Sequence, residues 1–304
     1  MNILITGATG YIGSHLVKRL SVLTEYRVYA LVRPTPVKSK LQDILREDNI
    51  IEATSTFDSL NCAVEKVKPD LVIHTAALTT VSLQPEQVES IIDSNILYGT
   101  LLLEAMIKNG VCRFINTGTF WEHMHGADEY KPVNLYAASK NAFGSIIRYY
   151  EDAHSLSSVT LKLYGTYGPN DPRGKIFSLL KESVESKKQI SMTPGEQLMD
   201  LVYIDDVVTA YEKTIEYIFK RNHCPSEVYF IGTGEGLNLR QLAAIYGECV
   251  GKSPNIKWGG IPYRKREVMD NVADIRPAKE KLGWEPIYEL KKGITRMLQI
   301  ESRN

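Results

Sequence analysis

Short apolar runs alternate along the first half of the chain with longer stretches whose apolar residues recur every three to four positions. The runs at 3–5, 28–32, 71–74, 114–116 and 159–163 read as strands, and 12–23, 58–67, 88–108 and 135–154 carry helical spacing. Strands without polar alternation are buried on both faces, so the pattern predicts a parallel sheet sandwiched between helices. Right-handed crossovers then make it doubly wound. Beyond Gly168-Pro169 the pattern loosens. It predicts a helix over 176–187, a turn at Pro194-Gly195, and strands at 202–204 and 229–231 that rejoin the main sheet. Helices at 240–250 and 277–282 complete a smaller lobe. The fold class expected is α/β, with a doubly wound parallel (Rossmann) sheet and a smaller C-terminal α/β lobe. Residues 1–163 and about 201–232 are expected in the first domain, and 164–200 with 233–304 in the second.

The 304 residues are 43% hydrophobic and 24% charged, enough to bury a sizeable core. Lys and Arg total 36, as do Asp and Glu, so the net charge is zero. That excludes a nucleic-acid or membrane partner held by bulk charge. Cys62, Cys112, Cys224 and Cys249 are scattered, without metal-ligand spacing. They predict buried free thiols in a reducing compartment, with no metal and no disulfide framework. The chain opens directly on a strand, without a signal-peptide pattern or a continuous apolar run of about eighteen residues. A cytoplasmic location is expected.

Thr6-Gly7-Ala8-Thr9-Gly10-Tyr11-Ile12-Gly13 leaves the first strand and opens the first helix. Glycines there permit a tight turn and close approach of a pyrophosphate, while the helix N-terminus supplies N–H groups. The spacing is GxxGxxG, where the commoner fingerprint is GxGxxG, so position after an N-terminal strand gives the signal its weight. At the end of the second strand, Arg33 stands where an NAD site places a carboxylate against the ribose 2′-OH. A guanidinium suits a 2′-phosphate instead. The cofactor expected is NADP(H); a solvated strand-end arginine is the plainer alternative.

Tyr136 and Lys140 lie one helical turn apart on one face. An ammonium there stabilises phenolate, which makes Tyr136 usable for proton transfer near neutral pH. The pair gains meaning from following a strand end, where such sheets bind ligands. Thr117 and Thr119 run off that same strand, and a hydroxyl there can bond a substrate oxygen.

TGATGYIG, DLVIHTAAL, YAASK, LYGTYGP, DLVYIDDVV and LGWEP occur in order over nearly the whole chain. Together they resemble the NAD-dependent epimerase/dehydratase family, the extended short-chain dehydrogenases. The resemblance implies Tyr136 as general acid/base, Lys140 on the nicotinamide ribose, and Thr119 as the hydroxyl, with Thr117 as the alternative. It implies a cofactor site of Gly7, Thr9, Gly10, Tyr11, Ile12, Arg33, Ala76, Ala77, Leu78, Asn95, Thr117, Tyr136, Lys140, Tyr164 and Thr166. A homodimer through the helices of 88–108 and 135–154 is implied as well.

Departures from the family narrow the reaction. Its 4,6-dehydratases carry Asp-Glu after the threonine, whereas Phe120-Trp121 stand here and transfer no proton. A 4-epimerase retains NAD, against which Arg33 argues. Gly165 and Met199 replace an asparagine and an arginine of the family's substrate lobe, leaving Arg173, Arg264 and Arg266 as candidates for the phosphates. NTGTFWEH, PVNLYAASKNAF, LKLYGTYGPNDPRGK and PYRKREVM are similar to the 4-ketoreductases that make CDP-linked 3,6-dideoxyhexoses, the abequose and paratose synthases. That likeness implies NADPH-dependent reduction of a C4 ketone, with Thr119, Trp121 and His123 near the sugar. Packing explains Trp121 and a structural hydrogen bond explains His123 equally well. A dTDP- or GDP-linked ketoreductase, a 4-epimerase, and a non-catalytic nucleotide sensor are the rivals.

Overall fold

The β-branched and aliphatic runs expected as strands form the centre of the molecule in a computed structural model. It describes residues 1–34, 39–80, 84–124, 130–173, 176–186, 189–221 and 226–303. In chain order the first elements are β1 (Asn2–Thr6), α1 (Tyr11–Leu20), β2 (Arg27–Val32), α2 (Ser39–Gln42), β3 (Ile50–Glu52) and α3 (Phe57–Val67). Next come β4 (Leu71–His74), α4 (Val88–Ile92), α5 (Tyr98–Lys108), β5 (Arg113–Thr119), α6 (Leu135–His154) and β6 (Ser157–Leu163). Then follow β7 (Gly165–Tyr167), α7 (Ile176–Glu185), β8 (Ile190–Ser191), β9 (Leu198–Met199), β10 (Leu201–Tyr203) and α8 (Ile204–Phe219). The chain ends with β11 (Glu227–Ile231), β12 (Leu237–Asn238), α9 (Leu239–Val250), β13 (Ile256–Lys257) and α10 (Leu290–Glu301).

Seven strands form the main sheet in the order β11-β6-β5-β4-β1-β2-β3. β1 pairs in parallel with β2 and β4, as β2 does with β3 and β4 with β5. The order reverses at β1, so α1 and α3 cover one arm while later crossovers build the other: the doubly wound α/β fold expected. Its core joins Leu4, Val72 and Phe114 of the sheet to Leu102 and Met106 of α5 and Phe143 and Ile147 of α6, all essentially buried. Each such side chain contributes about 1.5–3 kcal/mol through removal from water.

The chain divides into two compact units. One comprises Met1–Glu122, Asn134–Lys162 and Val208–Tyr229; the other comprises His123–Val133, Leu163–Val207 and Phe230–Asn304. β10 differs from expectation. Instead of rejoining the main sheet it pairs in parallel with β7, Leu201 opposite Gly165, in a two-stranded sheet of the second unit. A Cβ on Gly165 would stand 2.6 Å from the Asp200 carbonyl oxygen. The close approach of the two strands thus accounts for glycine at this position. The strand at 229–231 does join the main sheet, as part of β11.

The cysteines also differ from expectation. Cys62 and Cys112 are free and exposed and Cys249 is free and half-buried, while Cys224 lies outside the described residues. Cys62 sits on the solvent face of α3 and Cys112 at a loop, where the apolar pattern does not reach. Residues 85–108 are long and apolar enough to cross a bilayer, although no continuous apolar run marks them in the sequence. In the C-terminal part of this stretch Leu102, Leu103, Ala105 and Met106 are fully buried in the core.

Candidate active site

The loop after β1 is built by close contact. Gly7 adopts φ +67°, and a Cβ there would stand 2.6 Å from the Ala76 nitrogen, while one on Gly13 would stand 2.2 Å from the Gly7 carbonyl oxygen. Glycine removes both clashes and tolerates the left-handed backbone. α1 therefore packs directly on the turn. Gly10 is its N-cap and gives no side-chain cap, and the first turn holds no acidic residue. A Cβ on Gly10 would meet only the Gly7 carbonyl oxygen, at 3.1 Å. The helix N-terminus is thus uncovered by side chains, and its N–H groups fit a pyrophosphate. Arg33 follows β2, is exposed, and acts electrostatically on Tyr98 of α5.

Asn95 holds the next strand end in place. It lies in a π-helical turn, Asp93–Leu97, between α4 and α5, and is 1% exposed. Its Oδ1 accepts from the Leu78 N–H at 2.7 Å, and its Nδ2 donates to the Leu78 carbonyl at 3.1 Å and to Ser139 Oγ at 3.0 Å. Ser139 in turn donates to the Tyr136 carbonyl at 2.7 Å. At the other end of the segment, the Ala76 N–H donates to Thr6 Oγ1 at 3.3 Å. Asn95 thereby links Leu78 to the helix that carries Tyr136, with its side chain fully engaged.

α6 begins at Asn134, whose Oδ1 caps the helix by accepting from the Ala137 N–H at 2.9 Å. This cap fixes the first turn, where Tyr136 sits half-buried with its ring edge-on to Trp121, centroids 6.2 Å apart. One turn on, Lys140 is 3% exposed. Burial pushes its ammonium down to about 8, against the opposing pull of Glu122. A lysine poised there is still mostly charged at neutral pH, loses its proton just above it, and is sensitive to its surroundings.

Thr117 and Thr119 both lie inside β5. Thr117 Oγ1 shares a hydrogen bond of 2.6 Å with the Tyr211 hydroxyl of α8. Thr119 Oγ1 accepts from the Trp121 N–H at 3.3 Å within a short 3-10 turn, Phe120–Glu122. Two residues here escaped the sequence reading. Tyr211 is fully buried, raised by desolvation, and close enough to Tyr136 to feel its charge. Glu122 is 3% exposed, accepts from the Thr119 N–H at 3.3 Å, and pairs with Lys162 at 3.0 Å. Nothing in a single sequence separates a buried glutamate from a solvated one; a lysine in the buried strand β6 was the available signal. The first unit therefore brings together the glycine loop, Ala76, Leu78, Asn95, Thr117, Thr119, Trp121, Tyr136 and Lys140.

In the second unit, His123 packs edge-on to Phe230 at 5.8 Å, and Tyr164 packs against the same ring at 6.0 Å. Thr166 is buried, with its hydroxyl donating to the Tyr164 carbonyl at 3.3 Å. Arg173 forks onto Asp171, Nε and Nη2 each 2.6 Å from a carboxylate oxygen, and reaches the Thr166 carbonyl at 3.3 Å. Its charge is already met. Arg266 donates to the carbonyls of Pro132 and Val133 at 2.7 and 3.1 Å, and Arg264 is exposed in a turn closed by Glu267. Lys175, within one of the quoted motifs, lies outside the described residues. DLVYIDD and LGWEP are structural. Asp200 accepts from the backbone of Thr233, Gly234 and Ala273, and Asp206 accepts from Ile287 and Tyr288 while its carbonyl receives the Trp284 indole N–H. Among the described residues no cluster of His, Cys, Asp or Glu could hold a metal.

Residues 3–232 match the NAD dependent epimerase/dehydratase family. The chain is 32% identical to the CDP-abequose synthase of Yersinia pseudotuberculosis over 96% of its own length and 100% of that protein's. It is 29% identical to the CDP-abequose synthase of Salmonella typhimurium, covering 98% and 97%. It is also similar to the solved UDP-glucose 4-epimerase of Thermotoga maritima with UDP-glucose, with a TM-score of 0.83, 28% identity, and coverage of 100% and 99%.

Proposed function

The chain belongs to the NAD dependent epimerase/dehydratase family, and from that premise we propose that it reduces the C4 ketone of a nucleotide-linked deoxysugar with NADPH. A CDP-4-keto-3,6-dideoxyhexose is the substrate that the likeness to CDP-abequose synthases favours. The observation that carries the reading is the surroundings of Tyr136. Its neighbour is the Trp121 ring, and Glu122, which follows that tryptophan in the chain, is buried with both oxygens bonded. Phe120 and Trp121, which follow Thr119 in the chain, transfer no proton, and that suits ketone reduction and does not suit elimination of water.

NADPH, when bound, supplies a hydride to the sugar C4 and leaves as NADP. The helix N-terminus at Gly10 and Tyr11 takes the pyrophosphate, and Arg33 takes the 2′-phosphate. Lys140 holds the nicotinamide ribose and favours the Tyr136 phenolate left after transfer. Tyr136 gives its hydroxyl proton to the C4 oxygen as that oxygen gains negative charge, and Thr119 donates a hydrogen bond to the same oxygen. Trp121 and His123 border the sugar, and Arg173, Arg264 and Arg266 remain the candidates for the diphosphate. Arg264 carries most of that expectation, because Arg173 and Arg266 already have partners. Exposed Val88, Ile92 and Leu97 and exposed Tyr149 suit helix pairing in a cytoplasmic homodimer.

The likeness to UDP-glucose 4-epimerase supports a second reading, 4-epimerisation with retained NAD. Following NADPH consumption with CDP-4-keto-3,6-dideoxyglucose and with dTDP-4-keto-6-deoxyglucose, then fixing the product's C4 configuration, separates the two. Consumption of NADPH with the CDP sugar is expected. No consumption with either ketosugar, together with interconversion of UDP-hexoses, would establish the epimerase.

A further inference from the structure

Between the two threonines of β5 lies Gly118, and beside it on β6 lies Lys162. A Cβ on Gly118 would stand 2.8 Å from Lys162 Cγ and 3.1 Å from Thr160 Cγ2. The space left by glycine is therefore the passage by which the lysine stem crosses β5. At its far end Lys162 Nζ meets Glu122 Oε2 at 3.0 Å, the two side chains being 14% and 4% exposed. Oε1 of the same carboxylate accepts from the Thr119 N–H. Gly118, Glu122 and Lys162 thus form one interlocked set under the strand end.

We propose that Glu122, held by Lys162 through the gap at Gly118, is a positioning residue of the reaction: it fixes the Thr119 backbone and supplies the negative charge that faces Lys140. A buried ion pair adds little net stability over an apolar pair of the same shape, because desolvation of both ions offsets their attraction. Stability alone therefore gives no reason for one at this place. The electrostatic surroundings do. Lys140 feels Glu122 from the 3-10 turn and acts in turn on His74 of β4, while Tyr211 of α8 faces Tyr136. Glu122 is the negative group in this set, and Lys162 tempers it. The inference rests on the proposed reduction for its effect on rate, but not for its effect on Lys140.

Two single variants of the full chain separate positioning from scaffolding. Glu122→Gln removes the negative charge that faces Lys140, so Lys140 loses its proton at lower pH. Lys162→Met leaves the carboxylate uncompensated, so Lys140 keeps its proton to higher pH. Displacements of about half a pH unit or more in opposite directions are expected, with the double variant between them. They are read by 15N titration of the Lys140 ammonium and by the alkaline limb of kcat/KM for ketosugar reduction. Displacement of both single variants in the same direction, or none in either, would overturn the proposal. If Glu122→Gln does not fold, Lys162→Met decides alone: an unmoved or lowered Lys140 titration overturns it. If wild-type protein reduces no ketosugar, the functional reading fails while the Lys140 titration still judges the role of Glu122.

Discussion

Thr117 Oγ1 and the Tyr211 hydroxyl lie 2.6 Å apart, joining β5 to α8. The bond removes Thr117 from the pool of free hydroxyls and leaves Thr119 as the one nearer the turn. Removing the Thr117 hydroxyl takes this partner from the buried Tyr211 hydroxyl, at a cost of about 1–3 kcal/mol. Tyr211→Phe and Thr117→Val are each expected to lower the urea midpoint. The double variant should lose less than the sum, and additive losses in a double-mutant cycle would show that the two hydroxyls act independently.

Tyr136→Phe keeps the ring that meets Trp121 and removes only the hydroxyl. Turnover should fall about 10²–10⁴-fold, the usual share of general acid catalysis. NADPH affinity, measured by fluorescence titration, should stay within a few-fold. Retained turnover would point to another acid.

Arg33 is where the proposed NADPH preference is tested. Arg33→Asp would exchange the proposed phosphate partner for a ribose hydroxyl acceptor. The ratio of kcat/KM for NADPH over NADH should drop by at least about 10-fold, the value of one charge-assisted contact of 1.5–3 kcal/mol. An unchanged ratio assigns the 2′-phosphate to a different group.

His74 gives the fold a pH signature. Full burial, reinforced by the nearby Lys140 charge, holds its imidazole at about 3, below the ordinary 6.5. Its Nδ1 is 2.8 Å from Thr6 Oγ1. The folded value is the lower one, so the unfolded chain takes up the proton first. Stability present above pH 6.5 is therefore lost as pH falls towards about 3, at up to about 1.4 kcal/mol per unit. Asp200 and Asp206, raised by desolvation, bias the balance the opposite way in the carboxylate range. The quantity to measure is thus the difference between wild type and His74→Gln, whose unfolding free energy should lack the slope between pH 6.5 and 5.

Strongly periodic elements were legible in the sequence: the helix read at 135–154 runs Leu135–His154, and the strand at 71–74 is Leu71–His74. Several elements were not, β3, α8 and α10 among them. β3 has three residues, too few for a period. α8 follows β10 without a break, so the apolar run at 202–204 hid its start. α10 contains Gly293, a poor helix residue, at a point where a Cβ would stand 2.1 Å from the Tyr167 hydroxyl oxygen. Packing chose that glycine, and propensity misread it. At the site, the glycine loop, Tyr136 and Lys140 follow from spacing. Glu122 with Lys162 and Thr117 with Tyr211 are pairs distant along the chain, which a single sequence leaves unmatched.

The clasp of Asp206 on Trp284, Ile287 and Tyr288 closes over separations of 78 to 82 residues. Its partners are synthesised 78 to 82 residues after it. A nascent chain can thus hold the glycine loop and β1–β5 well before these bonds can form. The three bonds of this clasp become possible only once Trp284, Ile287 and Tyr288 have left the ribosome. A chain stalled before Trp284 would leave Asp206 without its three donors.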